Sequence, residues 1–314
     1  VLIVEHTEHF RVEKPCILTI GTFDGVHLGH QKLFERLKEL KAASKLQTVI
    51  LTFDPHPRRV LFNDNNNLKL ITTTPEKLKL LEEYGMDVAV VYPFSKSFSE
   101  ISAQQYIEDL LIKKLNVKHL VIGYDHKFGK NRGGDIHTLR DFAPVYGFDV
   151  DEISAKDIDS IAISSSKIRH ALEQGDITLA NKYLGHFYFF SGKVIKGKQL
   201  GRTIGFPTAN IGQLSAEKLL PAEGVYFARA RINDETFFGM LNIGKNPTTD
   251  NDQLLKPEIN LFNFDRDIYG CLIRVEVLKY LRPEIKFSGI DELKLQLEKD
   301  KENCKALINL KHAH

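Results

Sequence analysis

Gly21-Thr22-Phe23-Asp24-Gly25-Val26-His27-Leu28-Gly29-His30 is the stretch from which the rest of the chain can be read. The apolar run Cys16–Ile20 before it reads as a buried strand, and Leu33, Leu37 and Leu40 after it recur at helical spacing. Strand, glycine-rich turn and helix in that order make an anion cradle. Glycines let the backbone approach closely, and the first helical turn offers N–H groups and a partial positive charge. His27 and His30 stand three apart, so both rings can face one side of that turn. A cradle alone binds; two imidazoles aimed into it point to charge that develops during a reaction.

Outward from the cradle, to about residue 184, the pattern alternates. Apolar strands are expected at Cys16–Ile20, 48–53, Val88–Tyr92 and 120–122, with helices over 31–44, 75–84 and 103–115 between them. Pro75 suits a first helical turn and Gly85 a helix end. Strands that are apolar throughout, alternating with helices, predict a doubly wound parallel sheet covered on both faces. Such sheets hold ligands at the carboxyl ends of their strands, where the cradle falls. Two further helices, one starting near Ser165 and one capped by Asp176, close this first domain, 1–184.

From residue 185 the style changes. Segments 225–232 and 236–243 flank Asn233-Asp234, a hairpin signal, and 259–264 and 272–281 add strands rich in β-branched and aromatic residues. The second domain, 185–314, reads as a small antiparallel β-barrel or sandwich. Ile290, Leu293 and Leu297 predict a closing helix, started by Ser288 and Asp291 in a capping-box-like arrangement. The polar tract 63–67 reads as a mobile loop near the first site.

Composition bounds the function classes. The chain has 314 residues, enough for two domains, and 42% hydrophobic residues suffice for packed cores. The 43 basic and 41 acidic side chains leave a net charge of +2, which argues against a general attraction to nucleic acid or membrane. Cys16, Cys271 and Cys304 lie far apart with no C-x-x-C, so no disulfide framework is expected. Val1-Leu2-Ile3-Val4 meets Glu5 at once and is too short for a leader, and no apolar stretch approaches membrane-spanning length. The expectation is a soluble cytoplasmic protein.

Three segments are placed to join the cradle. Phe53-Asp54-Pro55-His56-Pro57 ends the second strand on the same rim and is stiffened by its prolines. The stretch 123–134 mixes glycines, cations and aromatics, among them Asp125, His126 and Phe128, as a loop closing over phosphates or a ring would. Ser164-Ser165-Ser166-Lys167-Ile168-Arg169 opens a helix with hydroxyls and two cations. Each alone has a plainer reading. The serines can be an N-cap, Pro-His-Pro a turn, the charges at 127–132 a solvated loop, and the histidines half of a zinc site that nothing completes. Together on one rim they favour a nucleoside triphosphate site.

The cradle with the later Ser-Ser-x-x-Ile-Arg resembles the nucleotidyltransferase superfamily of cytidylyl- and adenylyltransferases. With Phe53-Asp54-Pro55-His56-Pro57 added, it resembles the adenylyltransferase half of the bacterial bifunctional riboflavin kinase/FAD synthetases. That resemblance implies transfer of AMP from ATP to FMN, with His27 and His30 on the triphosphate and Ser164, Ser165, Ser166 and Arg169 on its outer phosphates. Gly21, Phe23, Asp24 and Gly29 complete the implied ATP set, and Phe53, Pro55, Pro57, Asp125 and Phe128 the flavin set. The family usually has threonine at Ser166 and often phenylalanine at His126. An ionised phosphate monoester needs no general base to attack the α-phosphorus. It needs alignment and neutralisation of the departing pyrophosphate, a task for His27, His30, Ser165, Arg169 and the helix-start amides, with Mg²⁺ bridging phosphates.

The second domain carries Gly192, Gly197, Gly201 and Gly205 among Lys193, Lys196, Lys198 and Arg202. The Gly-Lys-Ser/Thr ending of a Walker loop is missing, so a flexible basic loop and a phosphate-binding loop both fit. Thr208 and Asn210 alternate in an extended segment, so both oxygens can face one Mg²⁺. Glu258 precedes the alternating strand 259–264, and a carboxylate at the mouth of a barrel strand can take a hydroxyl proton. A solvated strand-end glutamate is the plain alternative.

Gly201-Arg202-Thr203-Ile204-Gly205-Phe206-Pro207-Thr208-Ala209-Asn210, Gly224-Val225-Tyr226, Asn242-Ile243-Gly244 with Pro247-Thr248, and Glu258 with Asp267-Ile268-Tyr269-Gly270 resemble the riboflavin kinase family in order. The resemblance implies Mg-ATP on Thr208 and Asn210 with Gly197, Gly201 and Arg202, flavin on Asn242 and Thr248, and Glu258 as base on the ribityl hydroxyl. Together the two resemblances cover nearly the whole chain. Two other readings stay open: an adenylyltransferase for a different phosphate with an accessory barrel, and a flavin-binding regulator without turnover.

Overall fold

The computed structural model describes residues 1–5, 10–62, 68–154, 163–197, 200–245 and 255–312, so the tract 63–67 lies outside the described residues. They form two compact units, Val1–Ser165 and Ser166–His314.

The first unit is built on six strands: β1 Leu2–Glu5, β2 Cys16–Ile20, β3 Gln47–Phe53, β4 Val88–Tyr92, β5 Val117–Gly123 and β6 Asp149–Ile153. They pair in parallel in the order β1-β4-β3-β2-β5-β6. Every residue of β2 is buried, so both its faces are covered, which explains the unbroken apolar run. Leu18, Ile20, Val49, Leu51, Val90, Leu120 and Ile122 form the core with Ile107, Leu110 and Leu111. The Cys16 thiol donates to the Leu115 carbonyl (3.1 Å), and burial pushes it up to about 12, so it stays protonated.

Helix α1, Leu28–Ser44, buries Leu33, Phe34 and Leu37. The helix Thr74–Glu83 starts on a capping box, with the Thr73 amide donating to Glu76 (2.9 Å). The helix expected over 103–115 begins as Ala103–Gln105 but winds as a π-helix through Tyr106–Lys114. Edge strands β1 and β6 and the helix Ile136–Tyr146, capped by Asp135, are additions to the expected elements.

The second unit is a closed barrel rather than a sandwich, in the order β10-β11-β8-β7-β12-β9. Its strands are β7 Tyr188–Ile195, β8 Ala209–Gly212, β9 Gly224–Ile232, β10 Glu235–Lys245, β11 Leu255–Leu261 and β12 Leu272–Arg282. All neighbours are antiparallel. The β9–β10 hairpin turns through Asn233 at φ 52°, as the Asn-Asp pair predicts. Gly192 and Lys193 lie inside β7, not in a loop. A Cβ on Gly192 would stand 2.7 Å from the Gly212 carbonyl oxygen, so glycine there answers the close approach of β8.

The closing helix runs Ile290–His312. Its cap comes from Glu292, which accepts from the Ser288 amide (2.9 Å) and hydroxyl (2.7 Å), and not from Asp291. Arg282 forks onto buried Asp300 of this helix at 2.7 and 2.9 Å. The helices Ser165–Glu173 and Ile177–Leu184, which the sequence reading gives to the first domain, belong to the barrel unit from Ser166 onward. Asn181 donates to the Val277 carbonyl (3.0 Å) and accepts from the Tyr188 amide (2.6 Å), which ties the second helix to β12 and β7. Asp176 caps it as expected, accepting from Leu179 at 3.0 Å.

Candidate active sites

Between β2 and α1 the chain turns through three left-handed residues: Phe23 (φ 48°), Gly25 (φ 83°) and Val26 (φ 44°). For a β-branched residue such as Val26 this conformation is costly and persists only when its surroundings enforce it. Phe23 is one enforcer. Its ring is 1% exposed, edge-on to His30 (5.2 Å) and packed on Phe34 (5.4 Å). It also fills the space above Gly21, where a Cβ would lie 3.0 Å from the ring. The ring therefore supports the turn from inside, and the expected ATP contact of Phe23 can apply to its backbone alone.

α1 begins at His27, whose backbone is extended, with no side-chain cap and no acidic residue in the first turn. The Leu28 and Gly29 amides at such a start lie outside the helix's own ladder and suit an anion. The His27 and His30 rings stack at 3.6 Å and 18°. His30 Nδ1 is buried with no hydrogen-bond partner among the described residues. Burial first, then the charges of His27 and Lys77, hold His30 well below the usual imidazole range. At neutral pH His30 is thus a neutral ring that can give one N–H to a phosphate oxygen.

Buried polar contacts fix the turn from behind. The Asp24 carboxylate accepts from the Thr72 amide (3.0 Å), and the Gly25 amide donates to the Thr72 hydroxyl (2.9 Å). The Asp24 carbonyl accepts from the Ser165 hydroxyl (3.0 Å), which holds Ser165 beside the turn. Buried Lys77 donates to the Thr22 carbonyl (3.0 Å) and the Thr52 hydroxyl (2.7 Å). Asp24 is thus part of a clamp. Ser164 is half-buried just before the helix, while Ser166 and Arg169 lie further along it, in the second compact unit.

A row of rings runs along the same unit. Phe53 meets Phe94 (5.5 Å) and Phe98 (6.1 Å); Phe98 meets Tyr92 (4.7 Å) and Tyr106 (6.1 Å); Tyr106 meets Phe128 (4.8 Å), which faces His126 (5.8 Å). Phe128 is buried, and a Cβ on Gly134 would lie 2.6 Å from its ring, so Phe128 anchors its loop against the core. Asp125 and Pro55 are exposed, and Pro57 starts a short helix, Pro57–Leu61. Burial, then Arg132, pushes His126 down to about 4, and its Nε2 is buried with no hydrogen-bond partner among the described residues. Two loop cations are engaged: Lys127 with Asp135 and Lys130 with Glu100, both at 2.9 Å.

In the barrel, register aligns the second set. Glu258 pairs with Asn210 on β8 and with Asn242 on β10. Directly opposed residues share a face, so the three stand side by side, while neighbouring Ile243 and Ile259 are buried on the other face. Half-buried Glu258 accepts from the Thr208 hydroxyl at 3.2 Å. It sits inside β11, not ahead of a strand at its mouth. Asn242 donates to Glu284 (2.9 Å). A Cβ on Gly197 would stand 2.2 Å from the Asn210 amide, and one on Gly201 2.2 Å from the Phe206 carbonyl oxygen, so both glycines answer close approaches. A cavity of about 230 Å³ is lined by Arg202, Pro207, Thr208 and the segment 264–269. Thr248 lies outside the described residues.

Among the described residues no group of three or more His, Cys, Asp or Glu is placed to hold a metal. The donors beside Glu258 are hard oxygens, and they fit an ion that takes the rest of its shell from phosphate and water.

The family matches divide along the same lines. A family model described as FAD synthetase matches residues 9–167, and one described as riboflavin kinase matches 184–308. The bifunctional riboflavin kinase/FMN adenylyltransferase of Haemophilus influenzae is 41% identical over 300 residues, covering 95% of this chain and 96% of its own. The chain belongs to the bifunctional riboflavin kinase/FMN adenylyltransferase family. Relatives of the same description in Listeria monocytogenes (40% over 292 residues, 93% and 92% covered) and Escherichia coli K12 (36% over 301 residues, 95% and 94% covered) match over the same extent. A crystal structure described as a macrolide-efflux protein from Streptococcus pneumoniae superposes with a TM-score of 0.88 at 29% identity, covering 97% of this chain and 99% of that one. Among the described residues here, no helix is long and apolar enough to cross a membrane.

For a member of this family, sequence reasoning missed Thr72, Lys77 and Glu284, which hold functional groups from outside any motif. The Thr72-Thr73-Thr74-Pro75 tract signals a helix start and nothing more. Phe94, Phe98 and Tyr106 carry no local signal either, because the row they form between Phe53 and Phe128 depends on where β4 and the π-helix lie.

Proposed function

We propose that the two units carry the two steps of flavin cofactor synthesis. The barrel transfers the ATP γ-phosphoryl group to riboflavin, giving FMN and ADP. The first unit joins FMN to AMP, giving FAD and pyrophosphate. What carries the reading is the pairing, in one family member, of an acid-free helix start under two stacked imidazoles with a carboxylate in register with two asparagines. We set the functional division at 184/185, a reading supported by the riboflavin kinase family span of 184–308.

In the adenylyl step a phosphate oxygen of FMN bonds to the α-phosphorus, and the bond to the β-phosphate oxygen breaks with its electron pair. The α1 amides and the neutral His30 N–H meet the charge that grows on the leaving pyrophosphate. Arg169 and the hydroxyls of Ser164, Ser165 and Ser166 serve its outer phosphates. Phe53 and its neighbouring rings offer an apolar wall to the isoalloxazine, with Pro55, Pro57 and Asp125 on its rim. In the kinase step Glu258 takes the proton of the ribityl hydroxyl as the hydroxyl oxygen bonds to the γ-phosphorus, and the bond from that phosphorus to the bridging oxygen breaks with its electron pair going to ADP. Thr208, whose hydroxyl bonds Glu258, and Asn210 would hold Mg²⁺, which when bound neutralises ATP phosphates. Arg202 and the backbone at Gly197 and Gly201 border the nucleotide, and Asn242 and Thr248 the flavin. The soluble chemistry of these substrates fits a cytoplasmic enzyme without nucleic-acid partners.

The test is chromatography of flavins after incubation with riboflavin, ATP and Mg²⁺, with each omitted in turn. FMN followed by FAD, both requiring ATP and metal, is expected. FMN without FAD would confine the reading to the barrel, and no product from riboflavin or supplied FMN would refute it.

A further inference from the structure

We propose that Lys77 is a positioning residue for adenylyl transfer: its buried ammonium ties the strained turn to the end of β3 and supplies the local positive charge against which His27 and His30 work. The inference rests on the adenylyltransferase reading of this unit.

Lys77 is 5% exposed, yet its two hydrogen bonds go to neutral oxygens, the Thr22 carbonyl and the Thr52 hydroxyl. An interior ammonium on neutral partners is expensive, and an apolar side chain of similar length would serve packing better. The place it occupies gives the reason. The Thr22 carbonyl belongs to the peptide that leads into left-handed Phe23, and Thr52 also donates to it (3.2 Å). Two donors on one carbonyl fix that peptide plane, and with it the entry to the cradle.

The charged neighbours of Lys77 come from every element around it. Asp24 on the turn and Asp54 beyond β3 favour the ammonium, and burial opposes it more strongly, bringing Lys77 down to about 8. From α1, His30 feels Lys77 as a like charge that adds to burial and to His27. Leu70, Thr72 and Thr74, which carry no charge, and His56 also line the small pocket there. The ammonium thus persists at neutral pH and is lost as pH rises through about 8. The barrel unit contains no such group in its row of Asn210, Glu258 and Asn242, so the kinase half of the same chain is an internal control.

The test measures FMN adenylylation with FMN supplied, and riboflavin phosphorylation, from pH 6 to 9.5, in the full chain and in Lys77→Met and Lys77→Arg. The wild type should lose adenylylation with an apparent pKa of about 8 that the kinase rate does not share. Lys77→Met should lower kcat for adenylylation about tenfold or more, with a smaller change in KM for ATP and with the alkaline step gone. Lys77→Arg should recover part of the rate and show no step below pH 9.5, because guanidinium stays charged. The proposal is overturned if folded Lys77→Met keeps the wild-type rate, or loses rate but keeps the step near pH 8. If Lys77→Met unfolds the first unit, seen as a lower first melting transition, Lys77→Arg decides: a step still near 8 overturns the proposal, and its disappearance supports it. Absence of adenylylation in the wild type would refute the underlying reading instead.

Discussion

The two sites of this chain handle phosphate by opposite constructions. In the first unit the groups stand on an irregular turn, with left-handed Phe23, Gly25 and Val26, and buried contacts to Thr72 and Lys77 enforce its shape. Its tools are backbone amides and the neutral ring of His30. In the barrel the groups stand on regular strands, and ladder pairing alone spaces Asn210, Glu258 and Asn242. Its tools are a carboxylate and hard oxygens. The difference teaches where each is fragile. The turn fails when its supports are removed, even supports that touch no substrate. The barrel row fails when its one chemical group is removed, and tolerates much else.

Glu258→Gln is expected to break the comparison most sharply. The amide keeps the shape and the bond to Thr208 but accepts no proton, so kinase activity should fall by ~10²–10⁴ while adenylylation of supplied FMN is unchanged. Steady-state rates for both reactions on one preparation check this, and equal loss of both would end the claim of separate chemistries. Asp300→Ala strips the closing helix of a buried partner for Arg282, which should cost ~3–5 kcal/mol of barrel stability. Thermal melts should show the barrel transition lowered and the first unit's transition in place. His30→Ala removes a donor from the cradle and should lower adenylylation by ~10²–10³, with riboflavin phosphorylation intact. The smallest effect sharpens the contrast. Thr72→Val removes the hydroxyl that accepts from the buried Gly25 amide, which should cost ~1–3 kcal/mol in the first unit. Adenylylation should drop with it although Thr72 is assigned no substrate contact; an unchanged rate would show that the turn holds its shape alone.

Most of both halves was legible because the decisive segments are local. Strand β2, the cradle and α1 are contiguous, and burial on both faces of β2 writes itself as an unbroken apolar run. Edge strand β6, Asp149–Ile153, has no fully buried residue and so left no hydrophobic pattern to find. Glu258 reads as standing ahead of the alternating strand 259–264, yet β11 runs through it, and through Pro257, from Leu255. Phe23 sits in a motif that invites a ligand contact, but its left-handed backbone turns the ring into the core. The clamp of Thr72 and Lys77 on the turn joins residues 47 and 55 positions apart, which no spacing rule reports.

The most direct test of two independent sites is a mixing experiment with full-length variants. Glu258→Gln alone, given riboflavin, ATP and Mg²⁺, should form neither FMN nor FAD, and His30→Ala alone should stop at FMN. Mixed in one tube, they should make FAD, because FMN released by one chain is taken up by the intact first unit of the other. A mixture that accumulates FMN and forms no FAD, while the Glu258→Gln chain still adenylylates supplied FMN, would contradict the account.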